Sequence, residues 1–197
     1  MDLALLYSGG KDSSLAALLL DEFYDVTLVT AHFGVTDDQE YAAAAAESLG
    51  FDFETIVLDR SVAEEAVSRM YEDGYPRNGI QFVHDRALEA VAELDVDAIA
   101  DGTRRDDRVP TVSRAQAQSL EDRHEVDYIA PLSGFGRNAV DRLVEATFEV
   151  ESGPSEEIRK ADYESELRAL LAEEYGEEAV REVFPDHEQT YVRGRLD

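Results

Sequence analysis

Leu3-Ala4-Leu5-Leu6-Tyr7-Ser8-Gly9-Gly10-Lys11-Asp12-Ser13-Ser14 carries an apolar run into a paired-glycine loop and out into a helical pattern. A strand, a glycine loop and a helix start together make an anion cradle. Two adjacent glycines reach backbone angles closed to other residues, so successive N–H groups can converge on one cluster of oxygens, and the helix N-terminus adds partial positive charge. The guest this predicts is a phosphate or pyrophosphate. The plainer alternative is a polar strand-to-helix turn in which Asp12 or Ser13 is the N-cap.

The loop is not a Walker A motif. Leu5 stands where that motif has its first glycine, and Asp12 stands where a Ser or Thr should follow Lys11.

Working outward, strands and helices alternate as in a parallel sheet covered on both faces. Five strands are predicted, at Leu3 to Tyr7, Val26 to Phe33, Phe53 to Leu58, Val96 to Ala100 and Val126 to Ala130. Ser13 to Phe23 reads as a helix with Leu15, Leu18, Leu19 and Phe23 on one face, and Ile80 to Leu94 as another with Ile80, Val83, Ala87, Leu88 and Val91. Ala42 to Ala46 is a strong helix former. Beyond Pro131 the alternation stops, and helices are predicted at about Asn138 to Phe148 and Ser155 to Tyr175, parted by the breaker Ser152-Gly153-Pro154 and closed by Gly176. The chain therefore divides into a sheet domain, residues 1–150, and a C-terminal helical extension, 151–197, whose packing stripe is Ile158, Leu167, Leu170, Leu171 and Tyr175.

The 197-residue chain has a formal net charge of −27, and every cation except Lys11 and Lys160 is arginine. Acidity spread over all the helices reads as adaptation to a salt-rich cytoplasm, where self-repulsion is screened and carboxylates hold surface water. The absence of cysteine excludes disulfides, cysteine-ligated zinc or iron–sulfur clusters, and any persulfide carried on this chain. No apolar stretch is long enough to span a bilayer and no signal region precedes the first strand, so a cytoplasmic location without membrane contact is expected.

In an open parallel sheet ligands bind at the carboxyl ends of the strands. Three further segments fall there: Thr30-Ala31-His32-Phe33-Gly34, Asp101-Gly102-Thr103-Arg104-Arg105-Asp106-Asp107-Arg108 and Pro131-Leu132-Ser133-Gly134-Phe135-Gly136-Arg137. His32 is either a contact to ribose or base or a satisfied structural residue, and Phe33 packs either in the core or on an adenine.

Ser8-Gly9-Gly10-Lys11-Asp12-Ser13 matches Ser-Gly-Gly-x-Asp-Ser, and the chain thereby resembles the PP-loop ATP pyrophosphatase superfamily. Gly102 to Asp107 resembles that superfamily's Gly-Thr-x-x-Asp-Asp loop, and Pro131 to Arg137 its Pro-Leu-x-x-x-x-Lys segment, with arginine in place of the commoner lysine. Tyr75 to Phe82 and Ala98 to Gly102 look like the matching region of the tRNA 2-thiouridylases, so the chain is closest in look to a cysteine-less archaeal relative of that branch. The likeness covers roughly residues 1 to 145. Those enzymes carry a catalytic cysteine around Tyr75 to Asn78 and a second further on, and neither exists here.

The resemblance implies a Rossmann-like adenine nucleotide α-hydrolase fold of five parallel strands with a C-terminal helical tail, and ATP and magnesium as ligands. A substrate oxygen attacks the α-phosphorus, pyrophosphate leaves into the loop, and a nitrogen or sulfur nucleophile then displaces AMP. Ser8, Gly9, Gly10, Ser13 and Ser14 bind pyrophosphate; Lys11 offsets its charge, and Arg137 adds a cation. Ala31, His32 and Phe33 face the adenosine, while Gly102, Thr103 and Arg104 approach the phosphates. Asp12 with Asp106 or Asp107 places magnesium. Three functions stay open: a tRNA-modifying thiolase or its subunit, with sulfur arriving as sulfide or on a partner; a small-molecule ligase using ammonia delivered from elsewhere; and a nucleotide-binding regulator without turnover. The cluster Arg104, Arg105, Arg108, Arg114, Arg123, Arg137 and Arg142 favours the tRNA reading. A homodimer is compatible with each.

Overall fold

The computed structural model describes residues 1–155 and 157–196. Strands β1 (Asp2–Leu6), β2 (Asp25–His32), β3 (Asp52–Val57), β4 (Ala98–Ala100) and β5 (Asp127–Ile129) form one parallel sheet in the order β3-β2-β1-β4-β5. This is the expected Rossmann-like α/β architecture. Leu3 pairs with Val26 on one side and Ala98 on the other. The two-residue period of β1 sends Leu3 and Leu5 to one face and Ala4 and Leu6 to the other, and all four are buried.

Helices α1 (Lys11–Leu20), α2 (Gln39–Leu49) and α6 (Arg137–Thr147) cover the first face; α3 (Arg60–Asp73), α4 (Arg77–Ala92) and α5 (Arg114–His124) cover the second. The α4 stripe packs as predicted through Val83, Ala87, Leu88 and Val91. Asp59 caps α3 by accepting from Ser61 N, and a reciprocal Ser113–Gln116 capping box starts α5. Helix α1 ends at Leu20, which leaves Phe23 exposed beyond it and not in the stripe predicted for it.

The C-terminal region departs most from expectation. β6 (Phe148–Pro154) follows α6 without a loop and pairs antiparallel with β7 (Glu188–Arg195), so Ser152-Gly153-Pro154 ends a strand instead of merely breaking helices. The helix predicted from Ser155 crosses Glu156, which with Asp197 lies outside the described residues; α7 (Tyr163–Tyr175) begins only where the Asp162 carboxylate accepts from Ser165 N. A short α8 (Glu177–Val183) then leads to β7. The helices of the extension are thus framed by two strands, and the boundary drawn at residue 150 falls inside β6.

This unit packs on both faces of the large sheet. Leu167, Leu170, Leu171 and Val183 join the α3–α4 side, while Ile158, Tyr191 and Val192 join the α1–α2 side. Tyr175, predicted to lie in the packing stripe, stacks on Tyr71 at the surface with ring centroids 4.1 Å apart. Among the described residues no helix is long and apolar enough to cross a membrane.

Candidate functional site

The strand order reverses between β1 and β4, and an open α/β sheet offers its ligand crevice at that point. A cavity of about 330 Å³ opens there, lined by Ser8, Asp12 and Ser13 after β1 and by Asp101, Gly102 and Thr103 after β4.

Gly9 has φ +79°, the left-handed region that the turn out of β1 requires. Gly10 is the N-cap of α1 and brings no capping side chain; from β7, Thr190 Oγ1 accepts from Lys11 N at 3.4 Å. The plainer alternative for this stretch, in which Asp12 or Ser13 caps the helix, is therefore not what forms. Both residues lie within the first helical turn, whose N–H groups have no intrahelical acceptor. A glycine-led helix start lining a cavity suits an anionic oxygen cluster.

The loop hydroxyls lie close together. Ser13 Oγ donates to Gly10 O at 3.2 Å and stands 3.4 Å from Ser8 Oγ. Ser14 points the other way: it is fully buried, and its hydroxyl meets the Tyr7 hydroxyl at 3.0 Å. Gly102 permits a close approach, but to protein. A Cβ there would stand 2.8 Å from Ser13 N, so the glycine lets β4 and the start of α1 meet.

Charges at the mouth form one alternating chain. Lys11 Nζ contacts Asp141 Oδ1 at 2.6 Å and Asp12 Oδ1 at 2.9 Å, and the other Asp12 oxygen lies 3.5 Å from Arg104 Nη1. Arg104 in turn donates to Asp107 from its guanidinium at 2.5 Å and from its backbone N at 2.7 Å. Asp106 accepts from the backbone N of Arg137 at 2.9 Å, and this bond, together with the nearby arginines, holds its carboxyl below the ordinary carboxylate range despite slight desolvation. Lys11, Asp12, Arg104 and Arg137 share a groove beside the cavity, so the structure brings these four together. Asp12 and Asp107 also line the cavity, whereas Asp106 does not.

Among the described residues no three carboxylates or imidazoles converge to hold a metal unaided. Magnesium does not require that, since it is commonly held by one or two carboxylates together with substrate phosphates. Asp12 and Asp107 provide two at the cavity wall, and their donor set fits a magnesium nucleotide.

Ala31 lines the cavity, but His32 and Phe33 turn away from it. His32 Nδ1 accepts from Gly34 N at 3.2 Å. Phe33 is a core residue, and its N–H is taken by both oxygens of buried Glu166 at 2.9 and 3.1 Å; Val35 N donates to the same carboxylate at 2.9 Å. Neither His32 nor Phe33 is among the residues that line the cavity.

Several residues of the cavity wall escaped the sequence reading. His84 on α4 and Asp101 after β4 are both buried and meet at 2.9 Å, with Thr103 and the Tyr128 hydroxyl also donating to Asp101. Burial pushes the Asp101 pKa up, but His84 and Thr103 more than offset it, and the net shift is down. Burial and the neighbouring Asp101 push the Tyr128 hydroxyl pKa up. Lys160, Tyr163 and Gln189 reach the cavity from the C-terminal extension. The available signal for Lys160 was its rarity; His84 had none, because it sits among the apolar positions of α4.

The chain matches the model of a family described as "Family of unknown function (DUF7411)" over residues 1–194, and it belongs to that family. It is 43% identical over 195 residues to the uncharacterized protein MJ0690 of Methanocaldococcus jannaschii, covering 98% of this chain and 96% of that one. A crystal structure described as a predicted subunit of tRNA methyltransferase, from the same organism, is similar at TM-score 0.92 and 41% identity over 100% of this chain and 98% of that one. The U34-tRNA thiolase NcsA from Methanococcus maripaludis, solved with its 4Fe–4S cluster, is similar at TM-score 0.44 and 18% identity over 74% of this chain and 56% of that one.

Proposed function

We propose that this DUF7411 member binds magnesium ATP at the β1/β4 crevice and cleaves it between the α and β phosphates, adenylating a substrate oxygen and releasing pyrophosphate, in the service of tRNA modification. The observation that carries the reading is the glycine-led start of α1, which meets the cavity within a Ser-Gly-Gly-x-Asp-Ser loop that contains Lys11 and Asp12. Such a loop accommodates two phosphates and leaves the α-phosphorus toward the rest of the cavity. Magnesium, held by Asp12 and Asp107 with the phosphates, would lower the charge on the leaving pyrophosphate. Lys11 and Arg104 are at present paired with aspartates, so an entering triphosphate offers them oxygens in exchange. The protein's contribution is positioning and charge stabilisation.

Support for a tRNA substrate comes from the description of the 41% identical relative as a predicted tRNA methyltransferase subunit. The arginine-rich third of the chain adds to it only in part. Arg123 is committed to Glu89 by two hydrogen bonds, whereas Arg105, Arg108 and Arg114 make no ion pair among the described residues. A second reading, a small-molecule amide-forming ligase fed with ammonia, is favoured by the absence of cysteine, since nitrogen needs no thiol carrier.

Phosphorus NMR of turned-over ATP tests the chemistry: AMP with pyrophosphate is expected, and ADP with orthophosphate as main products refutes the assignment. Filter binding of tRNA across a salt series tests the substrate. Arg114→Gln should lower the salt slope by about one unit while Arg123→Gln leaves it nearly unchanged. A wild-type protein that is folded at low salt and binds no tRNA leaves the ligase reading in its place.

A further inference from the structure

Of the chain's eighteen lysines and arginines only Lys11 and Lys160 are lysine, and the fold brings both to the same loop. Lys11 belongs to the loop itself. Lys160 arrives from the opposite end of the chain, on the segment between β6 and α7. Its position is fixed by backbone: Ala161 N donates to Ser8 O at 3.0 Å, just before the two glycines. Its stem passes within 3.8 Å of the point where a Cβ on Gly10 would stand. The side chain is 19% exposed and lines both the cavity that holds Ser8 and Ser13 and the groove that holds Lys11 and Arg104.

The ammonium pairs with Asp162 Oδ2 at 3.1 Å. That partner does not depend on it, because Asp162 also accepts from Ser165 N at 3.2 Å and from Gln189 Nε2 at 3.0 Å. Lys160 can therefore leave Asp162 without leaving that half-buried carboxylate unpartnered. A compact ammonium on a flexible stem can swing to a single oxygen between two walls, where the planar fork of arginine is less able to turn. This accounts for lysine at these two places in a chain that uses arginine everywhere else.

We infer that Lys160 is a phosphate-binding residue, exchanging Asp162 for the pyrophosphate end of the nucleotide, so that the C-terminal extension supplies part of the site. The inference rests on the reading of the loop as an ATP site. Having only two lysines makes it directly testable on the unaltered full chain. An amine-directed label, located by peptide mass spectrometry, is applied in high potassium chloride with inorganic pyrophosphate, or with sulfate at matched ionic strength.

Pyrophosphate should protect Lys160 and Lys11 alike, and sulfate neither. Lys160→Gln should weaken pyrophosphate binding by calorimetry roughly ten- to a hundredfold, the loss of one charge-assisted bond, with Lys160→Arg in between. A purely structural Lys160–Asp162 pair would show no protection. Protection of Lys11 alone, with unchanged affinity in a folded Lys160→Gln protein, overturns the inference and leaves the ATP site standing. Absence of protection at both lysines, with no pyrophosphate binding by wild type, overturns both.

Discussion

Replacing Gly102 with alanine tests whether the β4 loop and the glycine loop after β1 are one rigid unit. The new Cβ would stand 2.8 Å from Ser13 N, 2.9 Å from Ser13 Cα and 3.1 Å from Asp12 C, where ordinary contact begins at 3.4 Å. All three atoms are backbone in the first turn of α1, so no rotamer change relieves the overlap, and the helix start or the strand end must shift by more than half an ångström. Overpacking of this kind costs about 1–3 kcal/mol, which for a chain of this size lowers Tm by roughly 2–12 °C. The displaced atoms belong to the groups proposed to hold pyrophosphate, so its affinity should fall at least tenfold, on the order of 1.4 kcal/mol. Calorimetric melting and pyrophosphate titration on one preparation measure both. Gly194→Ala is the control, since nothing lies within 4 Å of a Cβ there. A Gly102→Ala protein with wild-type Tm and wild-type pyrophosphate affinity would refute the reasoning.

Asp12→Asn should abolish pyrophosphate release while leaving the circular dichroism spectrum intact, because Lys11 keeps Asp141 and the core is untouched; retained turnover would remove Asp12 from the metal site. Asp101 has a folded pKa below its unfolded value, so the stability it confers is present above about pH 4 and fades as pH falls through the folded value. Urea melts from pH 3 to pH 7 should show that part of the slope missing in Asp101→Asn, with a loss at pH 7 of roughly 1–3 kcal/mol; an identical pH profile would count against the His84–Asp101 account. Glu166→Gln leaves one amide oxygen to serve Phe33 N and Val35 N and turns an NH2 toward a donor, so hydrogen exchange at both amides should quicken, and unchanged protection would show that the carboxylate is dispensable.

What was legible in the sequence was what is local. β1 to β5 announce themselves as short apolar runs, and the loop from Ser8 to Ser13 as a string whose polar residues no single cap explains. The unread parts have long-range causes. β6 pairs with β7 from Phe148–Arg195 to Pro154–Glu188, and neither strand has an apolar run of its own, because their outward positions are acidic or arginine. Glu157 N and Ile158 N turn back onto Pro154 O, Ala161 is tied to Ser8, and the cap at Asp162 delays the helix to Tyr163. His84 looked like a core residue since its spacing on α4 is that of Val83, Ala87 and Leu88; its partner, Asp101, lies on another element.

The same long-range ties decide how the site holds its shape. Two loops follow β1 and β2 at the carboxyl edge of the sheet, and each is fastened by the C-terminal extension. The loop after β1 is held by Ala161 N to Ser8 O at 3.0 Å and by Val192 N to Gly9 O at 2.9 Å, and Tyr191 packs where a side chain on Gly9 would go. The loop after β2 is held by Glu166 through the N–H groups of Phe33 and Val35. A phosphate cradle is useful only if its donors are fixed before the ligand arrives, since ordering them on binding would cost affinity. In this chain the fixing groups lie beyond residue 150, so the extension belongs to the site as much as the loop does.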